Sequence, residues 1–176
     1  MKRLPNLFLA ATLFVLIPAS SAWASDILVI LDRSTLDAMP GDVLTFTGTL
    51  QNLDSSIVDL NLCQINMTGQ FVTDCSSPFL TNAPLTLNPL DTSADFIMFT
   101  ITVNLPYTDA LGPQSGSFDV LGGVEGPGGY DPTTQNLLGT ADFSVNVVPE
   151  PGTAGLWLLA GAVMLAMSRR RHKLIQ

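Results

Sequence analysis

Apolar and polar residues alternate with a period of two through most of the middle of the chain. Leu44, Phe46 and Leu50 alternate with Thr45, Thr47 and Thr49. Val58, Leu60 and Leu62 alternate with Asp59 and Asn61, and Ile97, Phe99, Ile101 and Val103 with Thr100, Thr102 and Asn104. Phe118 and Val120 flank Asp119, and Ala141, Phe143, Val145 and Val147 alternate with Asp142, Ser144 and Asn146. Successive side chains of a strand point to opposite faces, so each run predicts a strand with one buried face. The continuously apolar run Ile27 to Leu31 and the short run Leu85 to Leu87 add two candidates. Turn-forming residues separate the runs at Pro40-Gly41, Asn52-Leu53-Asp54, Asn88-Pro89, Gly112-Pro113 and Gly126-Pro127-Gly128-Gly129.

The two ends follow other patterns. Lys2 and Arg3 precede an apolar run from Leu7 to Ile17, and Pro18 and two serines break it. Ala22 and Ala24 then place small residues at the −3 and −1 positions of a cleavage site before Ser25. Residues 1–24 therefore read as a signal peptide, because the apolar run is too short for a permanent span of about 20 residues. At the other end, Thr153 to Met167 carries no charge, and Arg169, Arg170, Arg171, His172 and Lys173 follow. A helix over 153–167 reaches roughly 22 Å. The hydrocarbon core is roughly 30 Å thick, and snorkelling Arg and Lys stems close part of that gap. The basic tail is the part expected to stay on the cytoplasmic side.

The last 29 residues or so resemble the PEP-CTERM sorting signal of bacteria that make exopolysaccharide. The resemblance rests on the ordered triple VPEPG, GLWLLAGAVMLAM and SRRRHK. Pro149, Glu150 and Pro151 form the motif, and Arg169, Arg170, Arg171 and Lys173 the basic tail. The two prolines hold the segment extended and remove two backbone donors. The resemblance implies processing near the motif by an exosortase, a membrane-embedded enzyme similar to a cysteine peptidase. The alternative is a plain stop-transfer anchor. Leu105-Pro106-Tyr107-Thr108-Asp109 looks like a sortase signal, but Asp109 stands where that signal needs glycine, so it reads as a strand end and turn.

Three segments result: 1–24 as signal peptide, 25–147 as the folded domain, and 148–176 as sorting signal with a transmembrane helix at 153–167. The fold class expected of the domain is all-β, an antiparallel Ig-like sandwich of about seven to eight strands, with a jelly roll as structural rival. The opening from Ile27 through Pro40-Gly41 to the Val43–Leu50 run resembles bacterial Ig-like modules. The stretch from SPFLTNAPLTLNPL to GTADFSVNVV is similar to ectodomains found on PEP-CTERM proteins.

Composition sharpens this picture. The chain has a formal net charge of −8, but the charges are segregated. Residues 25–147 hold thirteen Asp, Glu125, the single basic residue Arg33 and no Lys, for a net charge of −13. Fifteen Thr and almost no Glu or Lys favour strand and turn over helix. So acidic a domain is not suited to nucleic acid. Cys63 and Cys75 are the only cysteines, and an even pair in an exported chain reads as a disulfide stapling a hairpin or loop. Asn66-Met67-Thr68 matches the N-glycosylation pattern, to which no role is assigned in a bacterial setting.

Catalytic chemistry has few candidates. The only histidine is His172, beyond the apolar segment, so the domain lacks the parts of a Ser-His-Asp or Cys-His arrangement or of a His-rich zinc site. No phosphate-binding glycine motif occurs. Paired carboxylates for glycoside hydrolysis are conceivable, but residues 25–147 contain no Trp to build a sugar platform. Asp91 and Asp95 suggest calcium but fail as an EF-hand, with Phe96 at the glycine position and Thr102 at the bidentate position. Asp54, Ser55, Ser56 and Asp59 are similarly suggestive, yet turn punctuation explains these Asp residues more simply. Gly122 to Asn136 is the expected long loop, where binding residues often sit.

The expectation is a non-enzymatic envelope or extracellular protein, structural or adhesive, with no cofactor and no metal. Its partners are the secretion machinery, an exosortase, the membrane and, by the resemblance, exopolysaccharide. The alternative is a carbohydrate- or calcium-binding surface module permanently anchored by its C-terminal helix.

Overall fold

The computed structural model describes residues 26–150, 152, 155–156 and 158–164. The expected cleavage site at Ala22, Ala24 and Ser25, together with Pro151 and the basic tail, lies outside these residues.

Among the described residues from 26 to 150, nine strands and one short helix follow in order: β1 Ile27–Leu31, β2 Thr35–Ala38, β3 Val43–Asn52, β4 Val58–Met67, β5 Phe71–Asp74, α1 Ser76–Asn82, β6 Thr86–Leu87, β7 Phe96–Val103, β8 Gly112–Val124 and β9 Asn136–Val147. They form two sheets, in the orders β1-β3-β7-β5 and β2-β9-β8-β4-β6. Below, these are the four-stranded and five-stranded sheets.

The buried faces of the two sheets meet on a cluster of phenylalanines. Phe46 of β3 stacks on Phe99 of β7 at 4.5 Å between ring centroids. Phe99 then crosses the sandwich, 4.8 Å from Phe118 of β8 and 5.0 Å from Phe143 of β9. Phe79 of α1 closes one end of the cluster, 6.0 Å from both Phe118 and Phe96. No alternating pattern foretells α1. It starts at Cys75, tolerates Pro78 in its first turn, and ends where Pro84 blocks continuation.

The sheets are not wholly antiparallel, which corrects one expectation. β2 runs parallel to β9, from Thr35↔Ser144 to Ala38↔Val147. The first strand is split: β1 pairs with β3 in one sheet, and the chain then crosses to the other without reversing. Because β2 keeps the direction of β1, it meets β9 in parallel. β2 and β5 are four residues each, too short for alternation to declare them. Among the described residues the count is therefore nine, not seven or eight.

Three bulges change which residues face inward; one lies between β8 and β9, where the register passes from Val120↔Gly139 to Leu121↔Leu137 and leaves Leu138 as the extra residue. Between β3 and β7 the register passes from Phe46↔Phe99 to Thr47↔Ile97, leaving Met98 as the extra residue. Met98 is buried and Ile97 is exposed, so the expected shared face of Ile97 with Phe99 breaks there. Between β4 and β8 the register passes from Leu60↔Gly122 to Leu62↔Leu121, leaving Asn61 as the extra residue. Leu62 then turns partly outward and Cys63 turns inward. An added residue reverses side-chain parity in a period-two strand.

Asn52, at the end of β3, is fully buried and joins three segments. Its Nδ2 donates to the carbonyls of Ser56, Leu87 and Asn88, and its Oδ1 accepts from the Asp54 N–H. Asn52→Ala leaves these groups without partners. Since one unsatisfied buried group costs about 1–3 kcal/mol, we expect a loss of about 2–4 kcal/mol. A denaturant midpoint equal to that of the parent protein would refute this role.

Candidate functional site

Three places in the fold bear on function: the exit from β9, the disulfide corner, and the segment 125–135 between β8 and β9.

β9 runs into the expected sorting motif with no intervening linker. Val147 is the last strand residue and is buried, and the Val148 N–H donates to Ala38 O of β2 at 2.8 Å. Pro149 and Glu150 follow directly and are exposed. Proline cannot donate to a ladder, so the strand ends there for a local reason. Beyond it, Gly152, Gly155, Leu156 and residues 158–164 are helical, and the side chains described there are exposed. Among the described residues no helix is long and apolar enough to cross a membrane. The expected span 153–167 lies partly outside those residues.

Cys63 and Cys75 form a disulfide with Cα atoms 6.1 Å apart. It does more than close a hairpin. β4 belongs to the five-stranded sheet and β5 to the four-stranded one, so the chain changes sheets between the two cysteines. The bond ties β4 to the residue that starts α1. The Asn61 bulge makes this possible by turning Cys63 inward.

The loop expected at Gly122 to Asn136 is shorter than its sequence limits. Residues 122–124 belong to β8 and Asn136 opens β9. The remaining segment folds down onto the outer face of β4. Asp59 Oδ2 accepts from the Asp131 N–H at 2.9 Å. Asn61 Nδ2 donates to Asp131 O at 2.9 Å, Thr134 O at 2.7 Å and Thr134 Oγ1 at 3.1 Å. One residue of the loop is thus held at its N–H by Asp59 and at its carbonyl by Asn61. Two glycines permit this closeness. A Cβ at Gly122 would lie 1.9 Å from Asp59 O, and one at Gly123 would lie 2.6 Å from Thr134 Oγ1. Thr133 donates to Asp131 Oδ1 from its hydroxyl and its N–H, holding the Asp131 carboxyl below the ordinary carboxylate value.

Asp54 and Asp91 each hold one carboxylate oxygen in a local turn. Asp54 Oδ1 accepts from the Ser56 N–H, and Asp91 Oδ2 accepts from Asn88. No group of three His, Cys, Asp or Glu residues suited to a metal occurs among the described residues. The sortase-like stretch is a turn strapped to Gln70, whose side chain donates to Thr108 Oγ1 and accepts from the Thr108 N–H. A shallow polar depression of about 600 Å³ lies on the outer face of the five-stranded sheet, lined by groups including Ser34, Asn66, Ser115, Ser117 and Ser144.

The fold and its C-terminal exit define a two-sheet β-sandwich carrying a terminal sorting sequence. Residues 147–171 match the PEP-CTERM protein-sorting motif. This motif indicates an exported protein sorted by an exosortase, with transient membrane anchoring. The match begins on the last residue of β9.

No curated protein matches the chain. Among solved structures, it is similar to a mutant Salmonella alpha-2-macroglobulin at 17% identity and TM-score 0.46, covering 72% of this chain and 7% of that one. It is similar to the secreted serine protease VesC of Vibrio cholerae at 10% identity and TM-score 0.41, covering 72% and 23%. For the VesB protease of Vibrio cholerae the values are 12% and 0.34, covering 68% and 31%. The chain spans less than a third of each of these proteins.

Proposed function

We propose that the chain is a structural or adhesive protein of the envelope or extracellular matrix, associated with exopolysaccharide and released from the inner membrane by exosortase processing. The observation that carries this reading is the direct passage from β9 through Val148 into the motif. The folded domain ends where the sorting sequence begins, so processing there frees an intact sandwich. The sandwich is read as Ig-like. Support comes from the sheets β1-β3-β7-β5 and β9-β8-β4, which follow the A-B-E-D and G-F-C orders of that fold, with β2 and β6 as additions at the edges.

The reading is non-enzymatic. Its support is the confinement of histidine to position 172 and of basic residues in 25–147 to Arg33. The hydroxyl- and amide-lined depression on the five-stranded sheet suits weak, repeated contacts with a polysaccharide.

Replacing Pro149, Glu150 and Pro151 by alanine tests the sorting step. We expect full-length protein to accumulate in the inner membrane and the processed form in the outer fractions to fall at least tenfold. Intact-mass analysis of cell fractions reads both. Unchanged processing and location would overturn the proposal in favour of a plain anchor.

A further inference from the structure

The outer face of the five-stranded sheet carries short polar side chains where β4, β8, β9 and β2 lie side by side. The register sets them in two rows across the strands: Asn66, Ser117 and Asp142 in one, and Ser115, Ser144 and Thr35 in the next. Neighbouring strands lie about 4.8 Å apart, close to the length of one sugar unit, and same-face residues of one strand about 7 Å apart. Because none of these side chains is long, the rows leave a trough of about 600 Å³ that is open to solvent.

Hydrogen bonds tie up the face around the trough but not most of its lining. Asp119 accepts from Asn66 and from Thr140, and Asp37 accepts from Asn146. In the trough, the exposed Asp142 carboxylate and the hydroxyls of Ser34, Thr35, Ser115 and Ser144 make no hydrogen bond to another described residue. The lining is thus a set of hydroxyls around one uncommitted carboxylate. The charges on this face are Asp37, Asp119 and Asp142, all negative. Arg33, the single basic residue of 25–147, lines a separate hollow with Thr45 and Thr47 of the four-stranded sheet. Such a field repels an anionic polymer and attracts a cationic one, and the net charge of −13 over 25–147 adds to it.

We propose that this trough binds an amino-sugar polysaccharide, a polymer of hexosamine units with free amino groups, with Asp142 pairing an ammonium group and the serine and threonine hydroxyls meeting the ring hydroxyls. The inference rests on the reading of the chain as a polysaccharide-associated protein and names the class of polysaccharide. The polymer lies across the strands, because the strand spacing is near that of its rings. The hydroxyl rows serve any hexose, whereas Asp142 and the surrounding field select the cationic one. A shallow trough without an aromatic platform binds weakly at each copy. Many copies on one long polymer compensate by avidity. An exposed ammonium–carboxylate pair is screened by salt, so the selectivity is largest at low ionic strength.

The test uses the isotopically labelled full chain in nonionic detergent micelles, with soluble trimers of glucosamine, N-acetylglucosamine, glucose and a uronic acid as probes. The buffer is mildly acidic, so that the amines are protonated and exposed carboxylates ionised. The glucosamine trimer is expected to shift the amide signals of 34–35, 115–117 and 142–144 saturably. It should bind at least fivefold more tightly than the glucose trimer at low salt, and 0.5 M NaCl should remove most of that preference. Asp142→Asn should weaken the glucosamine trimer at least fivefold with Tm unchanged, since the carboxylate holds nothing in the fold, while Asp91→Asn should leave binding as it is. If any other trimer binds in the trough as tightly as the glucosamine trimer, the amino-sugar inference is overturned and the polysaccharide reading stands. Binding elsewhere on the domain overturns the trough alone, and no saturable shift with any trimer overturns both. Equal weakening in Asp142→Asn and Asp91→Asn would mean attraction by overall charge only, and overturns the proposal as well.

Discussion

Phe99→Ala is expected to destabilise the domain by about 3–5 kcal/mol. Phe99 is fully buried at the centre of the sandwich, in ring contact with Phe46 on its own sheet and with Phe118 and Phe143 on the other. Truncation removes the transfer energy of the ring and leaves a cavity that rigid strands on both sides cannot fill. It also removes three aromatic pairs, each contributing about 0.5–1.5 kcal/mol beyond buried area. Against a typical total of about 5–15 kcal/mol, this is a large fraction of stability. Thermal melting should show a fall in Tm of roughly 10–20 °C. Phe99→Leu, which keeps much of the volume, should recover most of that. A fall of only a few degrees for Phe99→Ala would mean that the rings do not join the two sheets.

Replacing Cys63 and Cys75 together by alanine is the second large effect, at about 3 kcal/mol. The twelve-residue separation fixes the loop-closure part of that figure. The location explains why the loss should not stay local. The bond spans the only place where the chain passes from β4 to β5, and its second cysteine starts the helix that carries Phe79 into the core. Guanidinium unfolding with and without reductant provides the check. The reduced parent and the double variant should unfold at the same lower midpoint. If reduction leaves the midpoint of the parent unchanged, the corner holds without its staple.

The sequence exposes most of the strands because one face of each is buried. β3 and β9 show this most clearly, and their inward residues Phe46, Leu50, Phe143, Val145 and Val147 are the ones their alternation selects. The same logic fails at β2 and β5, where four residues hold too few alternations to register. It fails again at α1, since SSPFLTN has neither strand nor helix periodicity and depends on a single side chain, Phe79, reaching the core. Beside Asp59 and Asn61 the sequence offers only a faint signal. Their alternation with Val58, Leu60 and Leu62 marks them as outward and wet, whereas Asp59 is buried by a segment some seventy residues distant. The hint that could have found this packing is Gly122-Gly123, which lets backbone and loop approach β4 closely.

What the amino-acid order determined by itself is local: strand periodicity, the segregation of charge, the paired cysteines, and the Pro-Glu-Pro stop followed by an apolar run and a basic tail. These are properties of neighbours along the chain, and short-range sterics and hydropathy are enough to express them. What only the tertiary structure decided is parity and partnership. Single inserted residues at Met98 and Asn61 reverse which side chains face inward, and the split first strand sets β2 parallel to β9. Such choices depend on the strand lying opposite, far away in sequence, because a bulge is defined by the mismatch between two partners and by neither one alone.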